Sequence, residues 1–367
     1  MLTTLIIVGA IVIVVFLFMN SAKFGKVPVG DAKLKIQQSP RYKKTQFENQ
    51  SFTPMLAEGV NYGTMTWDFF FSKPKHSNPP RPIPSVKMDL KSLDPKVDVL
   101  VWFGHSSYFM QLDGKTFLVD PVLSGLASPV PYTTTSFAGS DVYSPDDFPT
   151  IDFLFITHDH WDHLDHPTVL KLKSKVKRVV TSLGVGSHLR HWGFAPEIIS
   201  ETDWDAFTDL HDGFSVHTKP ARHFSGRGFT RNQSLWSSFV LKTPSQKIYI
   251  GGDSGYDSHF KTIGDEHGPF DLVLLECGQY NKNWRYIHMM PEETVQASID
   301  LKAKRLMPVH WGKFALSLHN WDEPIVRASA EAKRLNHPLV TPKIGEPVHL
   351  KDESQIFSNW WETLKAE

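Results

Sequence analysis

The stretch His158-Asp159-His160-Trp161-Asp162-His163 directly follows an apolar run at positions 151–157. That run is short and rich in branched and aromatic residues, so it predicts a buried strand that delivers a polar loop to the edge of a sheet. One residue separates His158 from His160, so in an extended segment both side chains point the same way. Neutral imidazoles bind zinc-like ions, and a carboxylate among them suits a divalent cation. The stretch therefore predicts a metal site; the alternative is a solvated loop in a histidine-rich chain.

Asp162 and His163 come slightly later in the same stretch and can reach a second point close to the first. The spacing therefore suits two metal ions. The alternative is a chance match of the sequence. A metal pair needs further ligands from other segments, so the presence of such ligands later in the chain favours the metal site.

Three further candidates each follow an apolar run that predicts a strand. His223 comes after the run at 214–218, Asp253 after the run at 247–250, and His310 after the run at 305–309. Gly251 and Gly252 precede Asp253, and glycines allow the backbone to pass close to a metal. Each of the three candidates lies at or just past the carboxyl end of a predicted strand, as His158 does. Chance is a poor explanation for this agreement, because three independent coincidences would be needed.

Asp120 ends a fourth apolar run, at 116–119, and is followed by Pro121. A carboxylate at a strand end can hold a ligand histidine by its second ring nitrogen, although an Asp-Pro turn explains the pair equally well. We interpret His105 as a turn residue, and His188 and His191 as surface or packing residues of a short helix.

The composition describes a globular chain with no overall charge. It has 367 residues, of which 41% are hydrophobic, with 39 basic and 39 acidic side chains. This balance provides no field that would attract nucleic acid. Cys277 is the single cysteine, which excludes an internal disulfide, and its place at the end of an apolar run predicts a thiol in the core.

Residues 2–19 are uncharged and almost wholly apolar. A helix of this length spans roughly 27 Å, close to the hydrocarbon thickness of a bilayer. A signal peptide would need a basic start and a small-residue cleavage site, which Met1-Leu2-Thr3-Thr4 and Asn20-Ser21-Ala22 supply poorly. We therefore expect a single-pass anchor with the rest of the chain on the cytoplasmic side, because lysines follow from Lys23 onward. These lysines contact anionic headgroups or belong to a solvated linker.

We divide the chain into an anchor at 1–20, a juxtamembrane linker with an irregular extension at 21–96, a regular domain at 97–350 and a C-terminal tail at 351–367. Apolar runs at 99–105, 109–112 and 116–121, separated by turn signals, predict consecutive antiparallel strands. After residue 166 strand and helix signals alternate. The chain is therefore α/β, with helices covering a sheet.

Taken in order, Asp120, the stretch His158–His163, His223, Asp253 and His310 resemble the five motifs of the metallo-β-lactamase superfamily. The resemblance covers residues 97–350. Further motifs resemble the branch of phospholipases D that hydrolyse N-acylphosphatidylethanolamine: Trp102-Phe103-Gly104-His105-Ser106, Asp120-Pro121, Gly252-Asp253-Ser254-Gly255-Tyr256, His288-x-x-Pro291-Glu292-Glu293 and His310-Trp311-Gly312. The resemblance implies an αββα sandwich with two Zn²⁺ ions at one edge. The membrane segment that precedes this domain departs from the pattern of the branch.

The resemblance also implies a role for each site residue. It assigns His158, His160 and His223 to one zinc ion, and Asp162, His163 and His310 to the other. Asp253 bridges the two ions, and Asp120 supports a ligand histidine. A true β-lactamase site lacks the carboxylate of Asp253, so that activity is not expected. Asp162, Asp253 and His288 are the predicted catalytic residues.

The membrane segment and the branch agree on a membrane lipid as substrate, with a phosphodiester cleaved by metal-activated hydroxide. His288 lines the pocket or donates to the leaving group, with a packing role as the alternative. Arg227 and Arg231 bind phosphate or lie in a solvated loop. The rival functions are a lactone or soluble phosphodiester hydrolase of the same superfamily, and a metal-binding scaffold without catalysis. The sequence leaves the oligomeric state open, with a homodimer among the alternatives.

Overall fold

The computed structural model describes residues 1–364, apart from the side chains of Tyr62, Phe69 and Phe70. The strands are β1 (Tyr42–Lys43), β2 (Gln46–Phe47), β3 (Val99–Trp102), β4 (Tyr108–Leu112), β5 (Lys115–Val119), β6 (Ile151–Ile156), β7 (Val176–Ser182), β8 (Ile199–Thr202), β9 (Phe207–His211), β10 (Phe214–Pro220), β11 (Ser237–Lys242), β12 (Lys247–Ile250), β13 (Leu272–Glu276), β14 (Leu306–Val309) and β15 (Pro347–His349). The α-helices are α1 (Leu2–Met19), α2 (Asp31–Gln37), α3 (Tyr62–Phe71), α4 (His166–Leu172), α5 (Gly186–His191), α6 (His259–His267), α7 (Pro291–Asp300) and α8 (Glu323–Leu335).

Two mixed sheets form the centre of the fold. The first sheet has seven strands in the order β15-β3-β4-β5-β6-β7-β8, and the second has six in the order β14-β13-β12-β11-β10-β9. The pairs β3-β4 and β4-β5 are antiparallel, as the turn signals predicted, while β5, β6, β7 and β8 run parallel. In the second sheet β12, β13 and β14 are parallel. Parallel strands direct their carboxyl ends to one edge.

Side chains alternate between the two faces of each sheet and so build three apolar interfaces. The inner faces of both sheets share one cluster, which includes Leu100, Met110, Phe117, Val216, Phe239 and Ile250. The outer face of the first sheet packs on α4 and α5, through residues such as Leu118, Val169 and Leu189. The outer face of the second sheet packs on α6, α7 and α8, through residues such as Val273, Ile263 and Ala328. This layering is the αββα sandwich that the sequence predicted.

The segment between α1 and the first sheet lies across the domain, in keeping with the predicted extension. Its Ile36 and Phe47 are buried with Trp204 and Trp236, which belong to the second half of the chain. The helix α1 itself has no buried residue and is long and apolar enough to cross a membrane.

The C-terminal segment corrects one expectation, because it does not hang free as a tail. Trp360, Trp361 and Leu364 are buried in the cluster between the two sheets. The ring of Trp360 stacks on Trp311 with the centroids 5.3 Å apart. Two large indole side chains bury more apolar area than a solvated tail can hold in water, which is why the segment returns to the domain. Residues 365–367 of the predicted tail lie outside the described residues.

A glycine allows the edges of the two sheets to touch. Gly252 has a φ of +61°, and a Cβ atom there would lie 2.9 Å from the Ser237 carbonyl oxygen and 3.1 Å from Cβ of Thr157. Thr157 follows β6 in the first sheet, whereas Gly252 follows β12 in the second. Because any larger residue would separate these edges, Gly252 permits the neighbouring Asp253 to approach the loop that begins at His158.

We expect Trp360→Ala to lower the free energy of unfolding by roughly 3–5 kcal/mol, because it removes a buried indole from a packed core. Urea unfolding of the detergent-solubilised full chain measures this change. Ile356→Ala is the matched control, since Ile356 lies in the same segment and is 91% exposed; its effect should stay within about 0.5 kcal/mol. Equal small effects of the two substitutions would mean that the segment is not part of the core.

Candidate metal centre

The seven metal-ligand candidates converge at the edge where the carboxyl ends of both sheets meet. The loop after β6 carries His158, and the segments after β10, β12 and β14 carry His223, Asp253 and His310. The strand β10 runs in the direction of β12, because β11 is antiparallel to both. The strand β14 also runs parallel to β12, through β13, so strands of one direction deliver His223, Asp253 and His310 to one edge of the second sheet. The loop after β6 meets them there.

The first group consists of three histidines and one carboxylate. Ligand atoms of His158, His160, His223 and Asp253 all lie within 4.8 Å of one another. Nδ1 of His160 is 2.9 Å from Nε2 of His158 and 3.1 Å from Nε2 of His223. Oδ2 of Asp253 lies 3.8 Å from His158 Nε2 and 3.7 Å from His223 Nε2.

The second group lies beside the first and contains Asp162, His163, His310 and also His105. Oδ2 of Asp162 is 3.8 Å from Nε2 of His163 and 3.9 Å from Nε2 of His310. Asp253 also touches this group, with Oδ2 at 3.1 Å from His163 Nε2 and Oδ1 at 3.2 Å from His310 Nδ1. Asp253 thus lies between the two groups, where the resemblance expects a bridging carboxylate.

Several ligand-type atoms at this edge have no hydrogen-bond partner of acceptable geometry among the described residues. They are Nε2 of His160, Nε2 of His163 and Oδ1 of Asp253, all buried. A buried polar atom without a partner costs about 1–3 kcal/mol, so the cluster destabilises the fold unless something binds there. Imidazole nitrogens and carboxylate oxygens gathered this closely form a donor set that divalent cations accept. The residues present therefore fit the metal pair that the resemblance implies.

The charge states of most of the ligand-type side chains agree with metal binding. Burial holds the pKa of His158, His223 and His310 well below the ordinary value of an imidazole, so these rings stay neutral and keep a lone pair. Burial opposes ionisation of Asp162, but His163 and His105 hold the pKa of that carboxyl well below its usual range. Neutral imidazoles beside ionised carboxylates are the ligating forms of both groups. His163 differs from the other rings: although burial opposes its protonation, Asp253, Asp162 and Asp120 raise its pKa well above the ordinary imidazole value, so a cation that binds there displaces its proton.

Asp120 lies where the sequence predicted it, behind one of the candidate ligands. Its Oδ2 accepts a hydrogen bond from His163 Nδ1 at 2.7 Å, and Thr157 donates to both of its oxygens. Two other rings are held in a similar way: His223 Nδ1 is 2.8 Å from the Ile287 carbonyl oxygen, and His310 Nδ1 is 2.9 Å from Ser106 Oγ. Such contacts set the orientation of the ring and the nitrogen it presents.

His105 belongs to the centre, although the sequence indicated only a turn residue. It is fully buried, with Nε2 at 2.9 Å from Asp162 Oδ2. The turn interpretation is also right, because His105 has a φ of +52°. His310 has a φ of +67°, and each residue's backbone N–H is bound, to the carbonyls of Trp311 and His105 respectively. Backbone in this left-handed region is costly for non-glycine residues, and it gathers at functional sites.

Glu276 is a second residue that the sequence did not indicate. It is fully buried at the end of β13, and its Oε2 lies 2.8 Å from Nδ1 of His288. Although burial opposes protonation, Glu276 raises the pKa of His288 to about 9. The sequence did contain a sign of this role, because Glu276 is a carboxylate within the apolar run at 271–277 and a buried carboxylate needs a partner. His288 lines the cavity described next, so its predicted place in the pocket is correct.

A cavity of about 440 Å³ opens over both groups. Its polar floor is formed by His160, Asp162, His223, Asp253, His288 and His310, and the remaining wall is largely apolar: Met55, Leu56, Met65, Thr66, Phe224, Arg231, Gln279, Trp284, Ile287 and Leu316. The N-terminal extension supplies the first four of these wall residues, including two from α3. The cavity therefore combines a group of ligand-type side chains with an apolar surface.

The two arginines predicted to bind phosphate differ in their surroundings. Arg231 lines the cavity. Arg227 is 4% exposed, and its guanidinium donates to the carbonyl oxygens of Asp159, Leu164 and Lys23. The expectation for Arg227 is therefore wrong, because its donors are used inside the protein, away from the cavity.

The loop that holds Arg227 rests on a buried polar network. Asp159, which lies within the opening stretch, accepts hydrogen bonds from Gly226 N and Ser234 Oγ, both at 2.6 Å. Its Oδ2 also lies 3.1 Å from Nε2 of His188. His188 is thus a buried packing residue, which agrees with one of the two roles expected of it.

Comparisons with known proteins agree with this geometry. A model of the beta-lactamase superfamily domain matches residues 115–311. An uncharacterised protein of Mycobacterium tuberculosis is 36% identical over 340 residues, covering 89% of this chain and 88% of that protein. The Caenorhabditis elegans protein named N-acyl-phosphatidylethanolamine-hydrolyzing phospholipase D 1 is 31% identical over 233 residues, covering 59% of this chain and 64% of its own length. Igni18 of Ignicoccus hospitalis, described as a metallo hydrolase, shares the fold with a TM-score of 0.52 at 18% identity, covering 69% of this chain and 98% of Igni18.

The four-layer fold and the paired groups of ligand-type side chains define a metal-dependent hydrolase. The family match spans more than half of the chain, and the mycobacterial relative is similar over most of its length. The chain belongs to the beta-lactamase superfamily.

We expect the purified full chain to bind two equivalents of zinc, and His223→Ala to retain about one, because His223 contributes to one group only. Metal analysis after dialysis against a weak chelator gives the stoichiometry without any assay of activity. His217→Ala, in the same strand β10 but outside both groups, is the control and should keep the wild-type content. Full zinc retention by the His223 variant would exclude the proposed ligand set.

Proposed function

We propose that this protein is a dinuclear zinc phosphodiesterase that hydrolyses an N-acylated phospholipid in the manner of a phospholipase D. One observation carries the proposal: Asp253 lies between two groups of buried ligand-type side chains on the floor of a cavity whose wall is largely apolar. The name of the C. elegans relative supports the substrate class. Water would cleave the bond between phosphate and N-acylethanolamine, releasing phosphatidic acid.

A pair of divalent cations, when bound, lowers the pKa of a water toward neutrality and stabilises negative charge on the phosphoryl oxygens. The chain's own residues orient the reaction. Asp162 and Asp253 would help to hold the metals, because each offers a carboxylate oxygen to the groups of ligand-type side chains. His288 has Nδ1 engaged by Glu276, so its second ring nitrogen is the one available to the leaving group.

The wall of the cavity suits the remaining parts of such a substrate. Arg231 is the cationic residue of the wall, and a guanidinium can bind two phosphate oxygens at once. Met55, Leu56 and Met65 offer flexible apolar side chains to acyl chains. The N-terminal extension thus contributes to the binding of substrate beside its packing on the domain.

We also propose that α1 is retained as a membrane anchor. It has 18 residues, all apolar or uncharged, and none of them is buried in the protein. The lysines that follow it favour a catalytic domain on the cytoplasmic side. An anchor keeps the enzyme at the membrane in which its lipid substrate lies. The apolar wall of the cavity suits such a substrate.

A vesicle assay tests the proposed reaction. We expect the zinc-loaded full chain to release phosphatidic acid from vesicles that contain N-acylphosphatidylethanolamine, and to release less from ordinary phosphatidylethanolamine. Phosphatidic acid is measured by mass spectrometry, with His160→Ala as the inactive control. Equal turnover of a lactone or a soluble diester, unaffected by vesicles, would instead indicate the second function considered. If wild type and His160→Ala are equally inert on all esters and diesters, the chain is a scaffold.

We expect Arg231→Ala to reduce kcat/KM on the phospholipid by about 10–100-fold, since a hydrogen bond to a charged group is worth about 1.5–3 kcal/mol. Arg231→Lys keeps the charge but not the paired donors, so its loss should be intermediate. Lys282→Ala serves as a control outside the cavity wall. Unchanged kinetics in both Arg231 variants would remove this residue from the binding of phosphate.

A further inference from the structure

The chain that leaves α1 is attached directly to the metal-binding loop. Trp192 Nε1 donates to the Ala22 carbonyl oxygen at 2.7 Å, and Arg227 Nη2 donates to that of Lys23 at 2.9 Å. Phe24 packs edge-on against Trp161, which lies within the stretch His158–His163. These contacts join the end of α1 to the domain, so the position of α1 relative to the loop at 224–231 follows from packing.

The tip of that loop reaches back along α1. Phe229 borders an apolar cavity whose other walls come from α1: Ile11, Val12, Val15, Phe16 and Met19. Its side chain is 86% exposed, which is unusual for a phenylalanine in water. The preceding Gly228 lies against Met19, because a Cβ atom there would be 3.2 Å from the Met19 methyl group.

The length of α1 sets the depth of this contact. The eighteen residues of α1 extend about 27 Å, close to the thickness of a hydrocarbon core of about 30 Å, and α1 ends at Met19, four residues before Lys23. Met19 must therefore lie close to the boundary of the hydrocarbon if α1 spans it. Val15, which lines the same cavity as Phe229, lies four residues earlier and so roughly 6 Å deeper.

Both ends of the same loop belong to the cavity over the metal centre. Phe224 and Arg231 line that cavity, whereas Phe229 at the tip adjoins α1. The loop begins directly after His223, a candidate ligand. Lys23 and Lys26 follow Met19 at the level where lipid headgroups would lie, and basic residues are favoured there. A single loop thus runs from the cavity over the metal centre to the apolar side chains of α1.

We infer that Phe229 inserts into the hydrocarbon of the bilayer beside α1, so that the loop at 224–231 holds the mouth of the catalytic cavity at the membrane surface. The partner of this surface is the acyl-chain region of the lipid. The inference rests on α1 remaining as a membrane segment, and it extends the proposed function by stating how the lipid substrate meets the site.

The sequence offers a direct test, because Cys277 is the only cysteine and is fully buried. Phe229→Cys can therefore be labelled alone with an environment-sensitive nitrobenzoxadiazole dye, and the full chain placed in lipid nanodiscs, whose two faces are open to solvent. Ile356→Cys, at a residue 91% exposed in the C-terminal segment, is the matched control. Quenching is measured with lipids brominated on the acyl chain and separately with aqueous iodide.

We expect the dye at 229 to lose emission with brominated lipids and to resist iodide, and the dye at 356 to behave in the opposite way. Quenching of the dye at 229 by iodide, without an effect of brominated lipids, would overturn the inference. Hydrolysis of N-acylphosphatidylethanolamine by the unlabelled wild type is followed in the same nanodiscs. Insertion without hydrolysis would support this inference while refuting the proposed substrate, and hydrolysis without insertion would do the reverse.

Discussion

The structure depends on the burial of several ligand-type side chains at the seam between two sheets. Most of the imidazoles and carboxylates there are buried, and several atoms have no hydrogen-bond partner among the described residues. Asp253 is the central member, since its two oxygens contact His163 and His310 at 3.1 and 3.2 Å. Such an arrangement costs free energy in the folded chain, and a bound cation would offset that cost. Function is thus built from groups that destabilise the fold by themselves.

The remaining architecture makes this cluster possible. Three packed interfaces hold the sheets rigidly, so short segments at the strand ends can place ligands within a few ångströms. Gly252 allows the sheet edges to touch. His105 and His310 have a left-handed backbone conformation, which turns the chain at the site. The C-terminal indoles stack behind Trp311, next to His310, and the N-terminal extension forms one wall of the cavity. Segments far apart in sequence therefore support one edge of the fold.

Much of the site was readable from the chain because its chemistry is local. Histidines and aspartates follow apolar runs, and a strand end is recognisable from the sequence alone. His105 and Glu276 were missed because their roles arise from distant partners: His105 meets Asp162, 57 positions away, and Glu276 meets His288. Arg227 was misplaced for the same reason. The sequence around a loop arginine looks the same whether its guanidinium binds phosphate or donates to a backbone carbonyl, as Arg227 does to that of Lys23.

The sequence by itself determined the central strands that precede the candidate ligands, the membrane-length helix α1 and the set of candidate ligands, because periodicity and residue type act over a few positions. Only the tertiary structure decided that Asp253 lies between the two groups, that Trp360 returns to the core, and that Phe229 adjoins α1. These are contacts between segments that fold together for reasons of packing and burial, and no local pattern in the chain encodes which distant surface a side chain will meet.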